Sequence, residues 1–192
     1  LLMDEPFSNL DINLRKDVCN YTIETLKKNN IPVIFVTHDI EEAMSISDKI
    51  IVIKKGKILQ IDTPKKIYSN PNNKCVAEML GSINQLEIKP DKYGILETPF
   101  GKINCNKCNI KDNNYKTMKH YCLIRPENII IGKKGVKAKV INKYFLGASW
   151  SYQLDLGDKF PILSITNCKK ELKKNQYIRV NASKKNILIF QE

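Results

Sequence analysis

The apolar positions of this chain change their spacing near residue 82, and the change divides it into two kinds of structure. Leu1 to Met3 form a short apolar run that reads as the end of a buried strand. Residues 12–29 place Leu14, Val18, Tyr21, Thr22, Thr25 and Leu26 at helical spacing. Asp11 is a good N-cap for that helix, and Lys27 and Lys28 suit the negative end of its dipole. Pro32 opens a near-continuous apolar run to Thr37, which predicts a parallel strand covered on both faces. Residues 39–47 read as a short helix with two acids in its first turn. Residues 50–62 read as two strands joined at Lys55-Gly56, and the segments 63–71 and 73–81 close the unit, the latter helical. This alternation of strand and helix predicts an α/β fold with a mostly parallel sheet.

From Ser82 onward short β-rich runs take over, at 93–105, 121–131, 136–147, 149–157, 160–165, 177–183 and 186–190. Strands this short and this evenly spaced predict a small all-β barrel, with the boundary near 82–90. Residues 105–120 are polar and irregular, and read as a loop.

The first chemistry lies where the first strand should emerge. Asp4 and Glu5 are adjacent carboxylates, and Pro6, which has no N–H to give, stops any further sheet pairing. Such a pair can place one charge near a Mg²⁺ and leave the other free to orient a water for attack on a phosphate. Acidic pairs are common at strand ends, so the pair alone does not define a nucleotide site. Its neighbours along the chain give it meaning: Ser8, Asn9, Leu10 and Asp11, the amphipathic helix, the apolar strand, and then Thr37, His38 and Asp39.

This ordered set resembles the nucleotide-binding subunit of an ABC transporter, from its Walker B strand onward. SNLD (8–11) is similar to the family's D-loop, and THD (37–39) to its switch-histidine loop. TPKKIYSNP and NKCVAEMLG resemble the segment that ends the ATPase domain in importers. The resemblance runs closely over residues 1–85. RPENI (125–129), followed by a strand ending Leu146-Gly147 and an alternating strand, resembles the TOBE domain appended to many import ATPases. The fold it implies is the C-terminal part of a P-loop-type ABC ATPase domain (1–85), then a TOBE-like, OB-like barrel (86–192).

The resemblance also implies roles. Asp4 would hold Mg²⁺ through water, Glu5 would polarise the attacking water, and His38 would contact the γ-phosphate of ATP. Asp11, with Ser8 nearby, would reach across the interface of a head-to-tail ATPase homodimer. A lone histidine after a strand is more often a packing or surface residue; the company of Asp4 and Glu5 gives His38 its role. Transmembrane permease subunits would be the direct partners, and a substrate-binding protein an indirect one. The chain would then sit on the cytoplasmic face of the membrane, held by the permease. The junction LGSINQLE and the DEPFSNLD segment look most like ferric-iron and polyamine importer ATPases, with iron the expected cargo and spermidine or putrescine the alternative.

Several features bound this reading. No G-x-x-x-x-G-K-[ST] loop and no LSGGQ-like signature occurs, so the phosphate cradle and its Lys are missing. The expectation is a C-terminal portion of a longer ATPase, inactive by itself. The chain starts Leu-Leu with no charged leader, which reads as no secretory signal, and no run approaches the ~18 apolar residues of a membrane span. The formal net charge of +12 falls unevenly. Residues 1–90 carry 12 basic and 12 acidic residues, and residues 91–192 carry 20 and 8. A basic, OB-like nucleic-acid module is the competing function class. The Lys residues of that half interleave with strand positions instead of clustering, so the excess reads as a solvated surface, and no nucleic-acid partner is expected. Six irregularly spaced Cys argue for reduced thiols. Cys105, Cys108, His120 and Cys122 could supply four tetrahedral ligands to zinc, with a plain thiol-containing loop as the alternative.

Overall fold

A computed structural model of the chain describes residues 1–91, 95–104, 119–157, 162–166 and 171–191. It divides into two compact units, Leu1–Gly81 and Ser82–Glu192.

In the first unit, strand β1 (Leu2–Asp4) pairs in parallel with β2 (Ile34–Val36), Leu2 opposite Ile34 and Asp4 opposite Val36. Helix α1 (Ile12–Lys28) is the crossover that lets two successive strands run parallel. Asp11 accepts from the Leu14 amide at 3.0 Å and so caps α1. Among the described side chains of α1 a thin stripe faces inward: Cys19 is buried and Val18, Thr22, Ile23 and Leu26 are half-buried, whereas Leu14 and Tyr21 are exposed. Helix α2 (Ile40–Ile46) begins at Asp39, whose carboxylate accepts from the Glu42 amide. The hairpin of β3 (Ile50–Lys54) and β4 (Lys57–Asp62) turns at Lys55 and Gly56, both at positive φ, as a two-residue hairpin turn requires. Val52 on β3 packs with Ile67 of α3 (Pro64–Ser69), Val76 of α4 (Lys74–Met79) and Leu80, the buried core of this unit.

The expected mostly parallel sheet is not what forms. Among the described residues β1 with β2 is the one parallel pairing, and every other ladder is antiparallel. The Lys55-Gly56 turn is too short for a crossover, so β3 can only fold back on β4. Nor is the apolar run at 32–37 covered on both faces, since Ile34 and Val36 remain 62% and 57% exposed.

The second unit is built of antiparallel strands. A three-stranded sheet has the order β14 (Ile187–Gln191), β8 (His120–Ile124), β5 (Asn84–Ile88). A five-stranded sheet runs β12 (Ile162–Thr166), β11 (Trp150–Asp155), β10 (Val136–Phe145), β13 (Tyr177–Ala182), β9 (Ile129–Gly132). A small hairpin joins β6 (Ile95–Thr98) and β7 (Gly101–Asn104). All three feed one core: Leu86, Cys122, Ile124 and Ile187 from the first sheet, Val140, Tyr152, Leu154 and Val180 from the second, and Leu96 from the hairpin. Arg125, 3% exposed, donates to the carbonyl of Ser82 at 3.4 Å, beside the start of β5.

The expected closed barrel is likewise not formed: no ladder joins the edges β12 and β9, or β14 and β5, among the described residues. Alternating inward and outward residues is the pattern of both a closed barrel and stacked open sheets, so spacing could not separate them. Strand β5, which spacing did not predict, carries that alternation too, with Asn84, Leu86 and Ile88 buried.

Candidate functional site

The parallel pairing of β1 and β2 brings their C-terminal ends together, and the candidate residues come directly after each end. The Glu5 amide donates to the Val36 carbonyl at 2.9 Å, which extends the ladder by one bond. Glu5 itself has φ 44°, a left-handed conformation uncommon for a residue with a side chain. The chain thereby leaves the strand in a tight turn, in which the Ser8 amide and Oγ both donate to the Glu5 carbonyl, at 3.3 and 3.0 Å. Across from it, Thr37 Oγ1 accepts from the Asp39 amide at 3.0 Å, which shapes the loop that holds His38.

His38 Nδ1 and Glu5 Oε1 lie 2.6 Å apart, although 33 residues separate them in the chain. An ionised carboxylate can only accept, so Nδ1 carries the proton and Nε2 is left for a ligand. The Glu5 carboxylate, through that hydrogen bond and then through its charge, raises the His38 pKa above its ordinary 6.5. Asp39 adds to the effect, while desolvation and Arg15 oppose it. A protonated ring offers Nε2–H as a donor, which suits an anionic oxygen. The two side chains are 78% and 38% exposed, so solvent screens the pair and its value lies in placement, not in stability.

Glu5, Ser8, Arg15, Thr37, His38, Asp39 and Glu42 line a small cavity of about 30 Å³. A cavity of that size has room for a water or two, at about 10–15 Å³ each, whereas nucleotide-sized ligands need roughly ten times as much space. Of the five expected site residues, the structure brings Glu5, Ser8 and His38 together. Asp4 stands exposed at the end of β1, one residue before Glu5, and Asp11 sits outside the cavity as the cap of α1.

Arg15 also lines this cavity, although no motif in the sequence marks it. Its Nη1 meets Asp39 Oδ2 at 3.4 Å, and its Nη2 donates to the carbonyls of Ser8 and Leu10, both at 3.2 Å. One signal was available: a cation near a helix N-terminus opposes the dipole and so calls for another reason to be there.

Among the described residues no three His, Cys, Asp or Glu side chains gather into a metal-holding group. A lone carboxylate such as Asp4 fits Mg²⁺, which keeps several waters and shares the rest of its shell with substrate phosphates. Of the four candidate zinc ligands, Cys105 and Cys108 lie outside the described residues. His120 and Cys122 are buried on β8, where His120 Nε2 lies 2.9 Å from Gln191 Nε2. No described helix is long and apolar enough to cross a membrane.

No family model matches the chain. Curated proteins do match it along most of its length, and those it is similar to are importer-type ABC transporter ATP-binding subunits. It is 35% identical, over 198 residues, to the Fe(3+) ions import ATP-binding protein FbpC of Fusobacterium nucleatum; the match covers 100% of this chain and 53% of that protein. It is 36% identical, over 182 residues, to the spermidine/putrescine import ATP-binding protein PotA of Mesomycoplasma hyopneumoniae, covering 93% of this chain and 40% of the relative. The PotA of Malacoplasma penetrans is 38% identical over 156 residues, 78% of this chain and 26% of the relative. The chain thus spans about half the length, or less, of the curated relatives it matches.

Proposed function

We propose that this chain supplies the hydrolytic wall of an ABC import ATPase, which couples ATP hydrolysis to uptake of a small solute. The observation that carries the proposal is the 2.6 Å contact between Glu5 and His38. Two loops from parallel strand ends converge there on an acceptor for a water proton and a donor for a phosphate oxygen. Phosphoryl transfer is mainly positioning and charge stabilisation, so these are the groups the reaction needs. Glu5 would orient the attacking water. His38, held by Glu5 at Nδ1, would present Nε2 to the γ-phosphate. Asp4 would hold Mg²⁺ through water, and the ion, when bound, neutralises charge on the phosphates. Ser8 and Asp11 would face a second ATPase subunit in a head-to-tail homodimer.

The phosphate cradle must come from residues this sequence does not contain, in the same polypeptide or beside it. Residues 1–81 would then be the C-terminal part of the nucleotide-binding domain. The second unit would be the accessory domain that RPENI (125–129) resembles. Attachment to the cytoplasmic side of a membrane would run through permease subunits, and a substrate-binding protein would deliver the cargo to them.

For the cargo, the named relatives divide between ferric iron and polyamines at nearly equal identity, 35% and 36%. The proposal is accordingly a small cationic solute, with a polyamine the reading that more of the relatives carry. The test is ATP-driven uptake by vesicles holding the assembled transporter, with spermidine, putrescine and ferric iron offered in turn. Uptake of one of these that needs this chain supports the proposal, and uptake that persists without the chain refutes it.

A further inference from the structure

One guanidinium ties together the two loops that hold Glu5 and His38. Arg15 Nη2 reaches the carbonyls of Ser8 and Leu10 in the turn after Glu5, while Nη1 reaches Asp39, the residue after His38. Asp39 is itself fixed at both ends, its amide on Thr37 Oγ1 and its Oδ1 on the Glu42 amide. Ser8 is bonded back to the Glu5 carbonyl, and Glu5 to His38. The contacts close into a ring, Glu5 to His38 to Asp39 to Arg15 to Ser8 and back to Glu5.

Helix stability does not explain this arginine. It stands in the first turns of α1, where a cation works against the dipole, and its buried Nε has no acceptor among the described residues. A planar fork does explain it, because two Nη groups can reach acceptors on opposite sides at once. A lysine, with a single ammonium on a flexible stem, would satisfy one loop and release the other.

We propose that Arg15 is a positioning residue that holds the Glu5 turn and the His38 loop in register, and so keeps the hydrogen bond between Glu5 and His38 made. Any displacement of the turn at residues 5–11 is then passed to the His38 loop through this side chain as well as through the bond from Glu5 to His38. The catalytic meaning of this tie rests on the proposed roles of Glu5 and His38, whereas the tie itself is a property of this chain and is measured without nucleotide.

The sequence has two histidines, which makes the experiment simple to read. Long-range ¹H–¹⁵N NMR of the 192-residue chain, at an alkaline pH where the rings are neutral, reports which nitrogen of each imidazole carries the proton. The parent should show His38 as the Nδ1–H tautomer. Glu5→Gln supplies the reference for a ring that has lost its anionic partner. In Arg15→Met and Arg15→Lys the His38 signals should move toward that reference, while those of His120, in the other unit, stay in place. Thermal unfolding separates this from collapse of the unit. Should Arg15→Met fail to fold, Arg15→Lys, which keeps the charge, decides the matter. His38 signals unchanged from the parent in a folded Arg15→Lys chain would overturn the proposal. In the assembled ATPase, Arg15→Lys should lower kcat on the order of tenfold or more with KM for ATP little changed, the pattern of misplaced reacting groups. A lowered KM-normalised rate with kcat intact would also overturn it. If instead the NMR shift appears and Glu5→Gln hydrolyses ATP at the parent rate, the function fails and the tie stands.

Discussion

Gly135 offers a sharp test of the second unit's packing, because the effect of one added methyl group can be worked out from its surroundings. Its φ is +119°, a conformation that residues with a side chain rarely adopt. A Cβ there would also lie 2.7 Å from the Val180 carbonyl carbon and 3.1 Å from Asn181 Cβ, both on β13. Strand β13 is held between β10 and β9 and has little room to retreat. The backbone strain costs about 1–3 kcal/mol and the overlap about as much again, so Gly135→Ala should destabilise the unit by roughly 2–6 kcal/mol. For a unit of this size that lowers the melting temperature by roughly 10 °C or more. Gly132→Ala is the matched control: a Cβ there meets nothing within 4 Å and its φ is not in the positive range, so the change should stay near ±0.5 kcal/mol. The single tryptophan, Trp150, lies on β11 of the same sheet, and its fluorescence on heating reports this unit. If the two alanine variants melt within 1 °C of each other, the register of β10 against β13 is wrong.

Ile67 is fully buried at the centre of the first unit's core, and Ile67→Ala should cost about 2–5 kcal/mol in chemical denaturation. His38 should titrate above 6.5 by NMR, and Glu5→Gln should bring it back toward that value. The sign comes from linkage: a raised folded-state pKa means that the pair's contribution is complete below the unfolded value and is lost as pH rises through the folded one. An unshifted His38 in the parent would show that the pair does not form in solution. The basic second half should not bind single-stranded DNA or RNA below micromolar Kd near physiological salt, and tight binding with a steep salt slope would favour the nucleic-acid class instead.

Much of the site was legible in the sequence because its parts are local. Asp4-Glu5-Pro6 and Thr37-His38-Asp39 each come after an apolar run, and a parallel pair of strands joined by a helix must align their ends. The Lys55-Gly56 turn was legible for the same reason, since two residues dictate it. That turn also dictates the antiparallel direction of β3 and β4, whereas sheet closure was not legible, because it depends on which strands meet. Alternation at Asn84, Leu86 and Ile88 says that one face is buried, not what buries it. Exposure of Ile34 and Val36 was likewise invisible, since an apolar run does not reveal how much of the chain covers it. Arg15 was not legible because its side chain reaches two loops at once, and spacing along one helix cannot show that.

Whether Glu5 and His38 form the hydrolytic pair is tested by comparing parent and Glu5→Gln in Mg²⁺-dependent ATP hydrolysis. The 192-residue chain alone should show none above background, because a water-orienting carboxylate does nothing unless the γ-phosphate is held in line. In the assembled ATPase, with a phosphate-binding loop present, Glu5→Gln should still bind ATP, since the amide keeps the shape and loses only the anionic acceptor. Turnover should fall by roughly two to four orders of magnitude, the range for losing one positioned acid–base group. Hydrolysis by the Glu5→Gln protein at the parent rate would contradict the assignment.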